Sequence, residues 1–154
     1  YAGIHSFLRR DMAGYGLEDD MDITLCKYDS SDNSLLISGM GNHVFLLSNG
    51  TIEDIRPDHL SDDPFIDTGY NFSSSMRFVM PGDTLYLFSD GFADQFGGKN
   101  NKRYQKTRLR KYLAEIKEHP LPGQNDMLYE EIEKWRLQAD AEQTDDISAI
   151  GIRF

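Results

Sequence analysis

The chain has 154 residues, 39% of them hydrophobic, which is enough for one domain with a packed core. Its formal net charge of −10 argues against a nucleic-acid-binding protein, because contacts to phosphates require an excess of cations. The single cysteine, Cys26, excludes an internal disulfide bond, and no apolar run is long enough for a membrane span or a signal peptide. We therefore expect a cytoplasmic domain that makes no membrane contact through this segment.

The N-terminal part predicts a short helix followed by antiparallel strands. Residues 1–16 carry apolar side chains at helical spacing but lack an N-terminal capping signal, so we expect the end of a truncated helix. Strands are predicted at residues 21–28 and 34–40, joined by a polar turn. Glycines at 39 and 41 predict a bend or a bulge. Cys26 lies in an apolar strand and is interpreted as an inert core residue.

Four more strands complete a region of antiparallel strands over residues 21–90. A turn with the sequence Asn-Gly indicates one tight hairpin, and a Pro-Gly-Asp turn joins the last two strands. A loop is predicted for residues 56–72. The strands are predicted at 44–47, 51–55, 73–80 and 84–88. Six short strands joined mostly by tight turns predict an antiparallel sheet system.

Residues 99–138 predict a helical segment. The first helix has a basic outer side; a solvated helix face is the simpler interpretation, and an anionic partner is the alternative. Pro120 and Pro122 are expected to end this helix. The second helix is predicted at 124–137, with Trp135 on its apolar face.

Two carboxylates lie at the ends of the two most apolar strands. Asp90 follows the strand 84–88 and precedes Gly91, and Asp145 directly precedes a final strand at 146–154, predicted to be buried on both faces. If these strands are antiparallel neighbours, the two carboxylates meet at one edge of the sheet. Such a pair repels unless a cation or a shared proton relieves it. The alternative is that Asp90 only caps the following helix.

Oxygen ligands alone suit hard cations such as Mg²⁺ or Mn²⁺, and a pair of such ions can act on a phosphoryl group. A glycosidase with two carboxylates fits the residue types, but no aromatic sugar platform accompanies them. Zinc is disfavoured because the four histidines show no ligand spacing.

Three segments resemble the stage II sporulation protein E family of bacterial phosphatases, which is part of the metal-dependent type 2C class. They are MDITLC at 21–26, GDTLYLFSDGFADQFGG at 82–98 and QTDDISAIGI at 143–152. The resemblance implies an α+β fold in which two antiparallel β-sheets are sandwiched between helices. It implies hydrolysis of phosphoserine or phosphothreonine on a partner protein, such as one of the anti-sigma-factor-antagonist type, with two Mn²⁺ or Mg²⁺ ions.

The family motifs assign specific roles to residues of this chain. Asp90 and Asp145 correspond to metal ligands, while Gly91 and Asp146 correspond to positions next to the ligands. The acidic strand end and the Asp-x-x-Gly-His-Gly segment of the family are not found before residue 21. We therefore expect a single partial domain, 1–154, without the first strands and first helix, that ends a larger cytoplasmic or membrane-anchored sensor protein.

Such a fragment is expected to be nearly inactive by itself and to self-associate through exposed sheet surface. The alternative function is that of a non-catalytic, phosphatase-like regulatory module.

Overall fold

The computed structural model describes residues 23–40, 42–56 and 74–154. The helix predicted for 1–16 and nearly all of the loop predicted for 56–72 lie outside these ranges. The chain divides into two compact units, one formed by Tyr1–Asn42 with Arg56–Phe78 and the other by His43–Ile55 with Val79–Phe154. In the described ranges, no helix is both long and apolar enough to cross a membrane.

The described residues form nine strands and three helices. In chain order these are β1 (Ile23–Asp29), β2 (Ser34–Met40), β3 (Val44–Ser48), β4 (Thr51–Ile55), β5 (Ser74–Phe78), β6 (Thr84–Phe88), α1 (Asp90–Asp94), β7 (Phe96–Gly97), β8 (Lys102–Arg103), α2 (Lys106–Ile116), α3 (Leu121–Leu137) and β9 (Ala149–Arg153). All strand pairs are antiparallel, which confirms the predicted α+β class with antiparallel sheets.

The first unit contains a three-stranded sheet in the order β1-β2-β5. The turn between β1 and β2 is stabilised by Asp29, whose Oδ1 accepts hydrogen bonds from the amide of Ser31 at 3.0 Å and from its hydroxyl at 2.6 Å. The β1–β2 ladder runs unbroken through Gly39 to Met40, so of the predicted bend or bulge the bulge is wrong at Gly39, and Gly41 lies outside the described residues. Gly39 is needed for another reason: a Cβ at this position would overlap the carbonyl oxygen of Ile23.

Cys26 is only partly buried in β1, so its interpretation as a core residue is too strong. Leu25, its neighbour, is 45% exposed. Burial does raise the pKa of the Cys26 thiol, which keeps this side chain protonated and unreactive at neutral pH.

The second unit contains a four-stranded sheet in the order β4-β3-β6-β9. The hairpin between β3 and β4 turns at Asn49 and Gly50, whose φ values of 49° and 74° are those of a type I′ turn. Strand β6 is buried at four of its five positions, as its continuous apolar sequence predicts. β3 lies beside it in register, with Phe45 opposite Tyr86.

Helices α2 and α3 cover this sheet and complete the hydrophobic core. The apolar positions of α2 at helical spacing, Leu109, Leu113 and Ile116, are all buried, as are Leu128 and Ile132 of α3. Four aromatic rings continue the core as a chain of edge contacts, with centroids 5.4 to 5.6 Å apart from Phe88 through Phe92 and Tyr104 to Trp135.

Two boundaries of the predicted helical segment are wrong. Residues 96–103 form the short ribbon β7–β8, and α2 begins only at Lys106. Glycines 97 and 98 allow the ribbon to lie directly against Trp135, because a Cβ at either position would overlap atoms of Trp135. Pro122 belongs to the first turn of α3, where a missing N–H costs nothing, so it starts the second helix and does not end the first.

The final strand also differs from its prediction. β9 begins at Ala149 and is exposed at every position, including Ile150 at 55% and Ile152 at 42%. β9 lies at the edge of its sheet, where β6 is its one neighbour in the described sheet. Gly151 faces Leu121 of α3, so the two isoleucines point to the opposite face. An apolar sequence on both faces therefore did not mean burial on both faces.

Candidate metal centre

The site predicted from the sequence lies where β6 and β9 end side by side. The two strands pair in antiparallel register, with Phe88 opposite Ala149. This confirms the neighbour relation on which the predicted pairing of carboxylates depends. The chain leaves β6 towards Asp90 at the same edge at which Asp145 and Asp146 lead into β9.

Ser89 holds the two chain segments together at this edge. Its amide donates to the carbonyl of Ser148 at 3.0 Å. Its hydroxyl donates to the carbonyl of Asp146 at 2.9 Å and accepts from the amide of Ser148 at 2.9 Å. These bonds extend the β6–β9 ladder by one residue and position the backbone that carries both acidic residues.

Asp90 is the first residue of α1, and the N-cap position belongs to Ser89, which makes no side-chain capping bond. The alternative in which Asp90 serves as the cap is therefore wrong. The Asp90 side chain is exposed, and its charge in the first turn interacts favourably with the helix dipole. Its carboxylate is thus presented to solvent by a short helix that starts at a buried strand.

Gly91 is buried directly against the acidic segment. A Cβ at this position would lie 2.5 Å from the carbonyl oxygen of Asp146 and 3.4 Å from the Cβ of Asp145. The first distance is shorter than van der Waals contact allows, so glycine is required for α1 to approach residues 145–146. The absence of a side chain at Gly91 is what brings the backbones of Asp90 and Asp145 together.

Asp145 is exposed, and its backbone is held by local bonds. One carboxylate oxygen, Oδ1, accepts from the amide of Asp146 at 2.7 Å, and its carbonyl accepts from Nε2 of Gln143 at 2.8 Å. The second carboxylate oxygen has no such backbone partner in the described part of the chain. The backbone of Asp146 makes two of the bonds at this edge: its amide donates to Oδ1 of Asp145, and its carbonyl accepts from the hydroxyl of Ser89.

The far end of α1 is attached to the same C-terminal segment. Gln95 is fully buried, and its Nε2 donates to the carbonyl of Glu142 at 2.9 Å. Both ends of α1 are therefore fastened to residues 142–148, which fixes the direction of Asp90. Sequence reasoning missed Ser89, Gln95 and Gln143 as positioning residues; polar side chains directly beside the acidic motifs were the available signal.

The donor set fits a hard cation in part. Two exposed carboxylates at one edge, beside a glycine that leaves room for them, are suitable ligands for Mg²⁺ or Mn²⁺. Such ions take about six oxygen ligands, some of them water. Across the ranges 23–40, 42–56 and 74–154, no group of three or more His, Cys, Asp or Glu side chains is placed to hold a metal ion. Two carboxylates by themselves do not complete the coordination of such an ion.

Solved structures share this fold. The SiaA-PP2C domain of Pseudomonas aeruginosa is 25% identical, with a TM-score of 0.82 over 99% of this chain and 59% of that chain. The Mn-presoaked phosphatase domain of the cell fate determinant SpoIIE from Bacillus subtilis is 19% identical, with a TM-score of 0.67 over 98% and 62%. The RsbU and RsbW domains of Rv1364c from Mycobacterium tuberculosis are 13% identical, with a TM-score of 0.65 over 96% and 39%.

The fold is therefore that of PP2C-type phosphatase domains, and the chain spans less than two thirds of each of these solved chains. Residues 5–154 match the family described as Stage II sporulation protein E (SpoIIE). The chain belongs to the stage II sporulation protein E family. A comparison with curated protein sequences finds no match.

Proposed function

We propose that this chain is part of a metal-dependent protein phosphatase that removes phosphate from serine or threonine of a partner protein in bacterial signalling. The observation that carries this proposal is the β6–β9 pairing, which brings Asp90 and Asp145 to one edge of the sheet. At this edge, Gly91 of α1 packs against residues 145–146. Membership of a phosphatase family supports the reaction class.

In this proposal Asp90 and Asp145 are ligands of the two Mn²⁺ or Mg²⁺ ions. When bound, these ions supply Lewis acidity and a nucleophilic water for hydrolysis of a phosphate ester. The chain's own contribution is geometric. Ser89 and Gly91 hold the backbone segments that carry the two carboxylates against each other, and Asp146 and Gln143 make hydrogen bonds to Asp145.

The partner is a phosphorylated protein. The likeness to a protein whose solved chain combines RsbU and RsbW domains supports a substrate from a partner-switching pathway, such as an anti-sigma-factor antagonist. We infer that residues 1–154 act as one partial domain, located in the cytoplasm, as the single cysteine favours.

The test uses the full reading frame that contains this chain. With Mn²⁺, it should release phosphate from a phosphoserine peptide, and Asp90→Asn should reduce the rate by more than about a hundredfold, because loss of even an outer partner of a metal costs up to that much. Asp126→Asn removes an exposed carboxylate of α3 and serves as the matched control. The rate of Asp126→Asn should stay close to that of the unmodified protein, so that the loss in Asp90→Asn is assigned to the candidate metal centre.

The isolated 154-residue chain should bind Mn²⁺ only at roughly millimolar concentration, since two carboxylates are a weak site, and should hydrolyse little. Robust Mn²⁺-dependent hydrolysis of p-nitrophenyl phosphate by this chain, abolished in Asp90→Asn, would show that the isolated chain is active after all.

A non-catalytic regulatory module is the second candidate; a pure scaffold needs neither Asp90 nor Asp145, so the presence of both favours the enzyme. Absence of phosphate release by the full reading frame with either Mn²⁺ or Mg²⁺ would select this second function. The presence upstream of Tyr1 of an acidic strand end and an Asp-x-x-Gly-His-Gly segment would select the enzyme.

A further inference from the structure

The charge of this acidic chain is unevenly distributed. Residues 95–114 carry seven of its sixteen Lys and Arg residues and none of its 26 Asp and Glu residues. We call residues 99–111, which contain all seven cations, the basic segment. They are Lys99, Lys102, Arg103, Lys106, Arg108, Arg110 and Lys111. The segment includes β8 and the first turns of α2.

Most of these cations face solvent. α2 buries Leu109 and Leu113, which leaves Arg110 and Lys111 on its exposed side, and Lys106 is half-buried at its start. Arg103 lies 3.3 Å from a carboxylate oxygen of Asp94. In the part of the chain that the structure describes, no other cation of the segment lies within ion-pair distance of a carboxylate.

Arg108 has a separate, structural role. Its guanidinium lies 4.1 Å from the ring centroid of Trp135 and 5.4 Å from that of Tyr104, so it stacks on the aromatic chain of the core. Together with the ion pair of Arg103, this leaves five cations whose charge is available to a partner. They are Lys99, Lys102, Lys106, Arg110 and Lys111.

The basic segment is hydrogen-bonded to the helix that presents Asp90. The amide of Gln105 donates to the carbonyl of Ala93 at 2.7 Å, and the amide of Tyr104 donates to the carbonyl of Gln95 at 2.9 Å. Ala93 follows Asp90 by less than one helical turn, so Gln105 lies within about 10 Å of Asp90. Lys106, the next residue, therefore lies close to the end of α1, about one helical turn from Asp90.

We propose that the basic segment is a docking surface for an acidic stretch of the phosphoprotein substrate. This inference rests on the proposed phosphatase function and names the chemistry of its substrate: carboxylates beside the phosphorylated residue. A positive surface fixed to α1 attracts such a stretch and sets its phosphorylated residue near Asp90 and Asp145. It also offsets the repulsion that a chain of net charge −10 exerts on an acidic partner.

An acidic protein fits this surface better than other anionic partners. The five cations are too few to overcome the net negative charge against a long polyanion such as DNA. Stable attachment to a lipid surface is strengthened by apolar side chains that enter the lipid, whereas Tyr104 and Leu109, which lie among the cations, are buried in the core.

The first experiment measures binding, which does not depend on catalysis. The probe is a fluorescein-labelled peptide with one phosphoserine flanked by aspartates, and fluorescence anisotropy measures its affinity for the full reading frame that contains this chain. Lys106→Gln with Lys111→Gln should weaken binding about fivefold, the effect of removing two partly screened ion pairs. Lys27→Gln with Lys134→Gln makes the same charge change on β1 and α3 and should leave the affinity within about twofold.

Equal loss of peptide affinity in the two double variants would overturn the proposal. So would equal binding of a phosphoserine peptide flanked by asparagines. Tighter binding of duplex DNA or of vesicles containing phosphatidylserine, with the same dependence on Lys106 and Lys111, would reassign the surface to those partners. Failure of phosphate release together with lysine-dependent peptide binding would refute the phosphatase and retain the docking surface.

A second measurement tests the position of the docked peptide. A photo-crosslinker replaces the phosphoserine, and the crosslinked residues are identified by mass spectrometry. Crosslinks to residues 89–95 or 143–148 are expected. Crosslinks confined to other parts of the chain would overturn the proposed alignment with the candidate metal centre.

Discussion

Gly91 is the residue on which the geometry of the candidate site depends most. Its φ is not unusual, so the requirement for glycine comes from space and not from backbone conformation. The backbone of Asp146 occupies the place of a side chain, and backbone atoms move less readily than the end of a flexible side chain. Any substitution must therefore push α1 away from residues 145–146.

Replacing Gly91 by alanine should lower the free energy of unfolding by about 2 kcal/mol, the usual cost of overpacking, and weaken Mn²⁺ binding. Gly123→Ala is the matched control, because a Cβ there meets no atom within 4 Å and alanine favours a helix. Urea denaturation checks both variants. A Gly91→Ala protein as stable as the unmodified chain would contradict the close approach.

Tyr104 links the ribbon, the helices and the core through one side chain. Its ring is buried between Phe92 and Trp135, and its hydroxyl donates to the carboxylate of Glu131 at 3.0 Å. Burial, together with the negative charge of Glu131, raises the pKa of Tyr104 far above its usual value. The folded protein therefore keeps this phenol protonated where the unfolded chain ionises.

This difference predicts a loss of stability at alkaline pH. Above a pH of about 10, the unfolded state releases the phenol proton and the folded state retains it, so the free energy of unfolding falls as pH rises. Tyr104→Phe should lower the free energy of unfolding by about 1 kcal/mol near neutral pH, because the hydrogen bond is missing. Above a pH of about 10, the free energy of unfolding of this variant should fall less steeply with pH than that of the unmodified chain. Tyr129→Phe replaces an exposed tyrosine and is the matched control; its free energy of unfolding should fall with pH as that of the unmodified chain does.

Urea unfolding at several pH values from about 8 to about 11 measures both slopes. Part of the decline should remain in Tyr104→Phe, since burial also raises the pKa of Tyr86. Identical slopes in the two phenylalanine variants would contradict the role assigned to Tyr104.

Among the elements, β9 combines two properties that natural sheets usually avoid. It is an edge strand, and it exposes Ile150 and Ile152 on one face. β9 also forms one side of the candidate metal centre, so anything that pairs with it acts close to Asp145. Its exposed apolar face and its place at the edge of the described sheet support the expectation that this chain self-associates.

Ile150→Lys should reduce that self-association, because a charge on an exposed edge opposes pairing with a second copy. Leu137→Lys, at a side chain of α3 that is 66% exposed, is the matched control and should have little effect. Sedimentation velocity at about 0.1 mM protein measures the distribution of species. An unmodified chain that stays monomeric and melts cooperatively would count against the expectation.

At the scale of the whole molecule, burial and charge are both unevenly distributed. The second unit holds the large core of β3, β6, α2 and α3, whereas no residue of β1 is fully buried. Seven of the sixteen Lys and Arg residues lie in the basic segment, which is hydrogen-bonded to α1, and no Asp or Glu lies in that segment. The candidate metal centre and the proposed docking surface are both parts of the second unit, joined through α1.

The sequence by itself determined the features that depend on neighbours along the chain. Alternation and apolar runs predicted β1 to β6, the Asn-Gly pair predicted the turn at Asn49, and the motifs at 82–98 and 143–152 identified the family. Asp90 and Asp145 became candidate ligands because each lies beside an apolar strand. These signals are local, since they arise from backbone preferences and the period of side chains.

Only the tertiary structure decided which strand lies at an edge and which backbones touch. Ile150 and Ile152 look like core residues in sequence, yet β9 has one neighbour in the described sheet, and burial depends on neighbours on both sides. From the sequence alone, Pro122 could end one helix or begin the next. The packing of Leu121 and the residues after it on the core places Pro122 in the first turn of α3. The roles of Ser89 and Gly91 come from contact with Asp146, more than fifty residues away, which no local pattern contains.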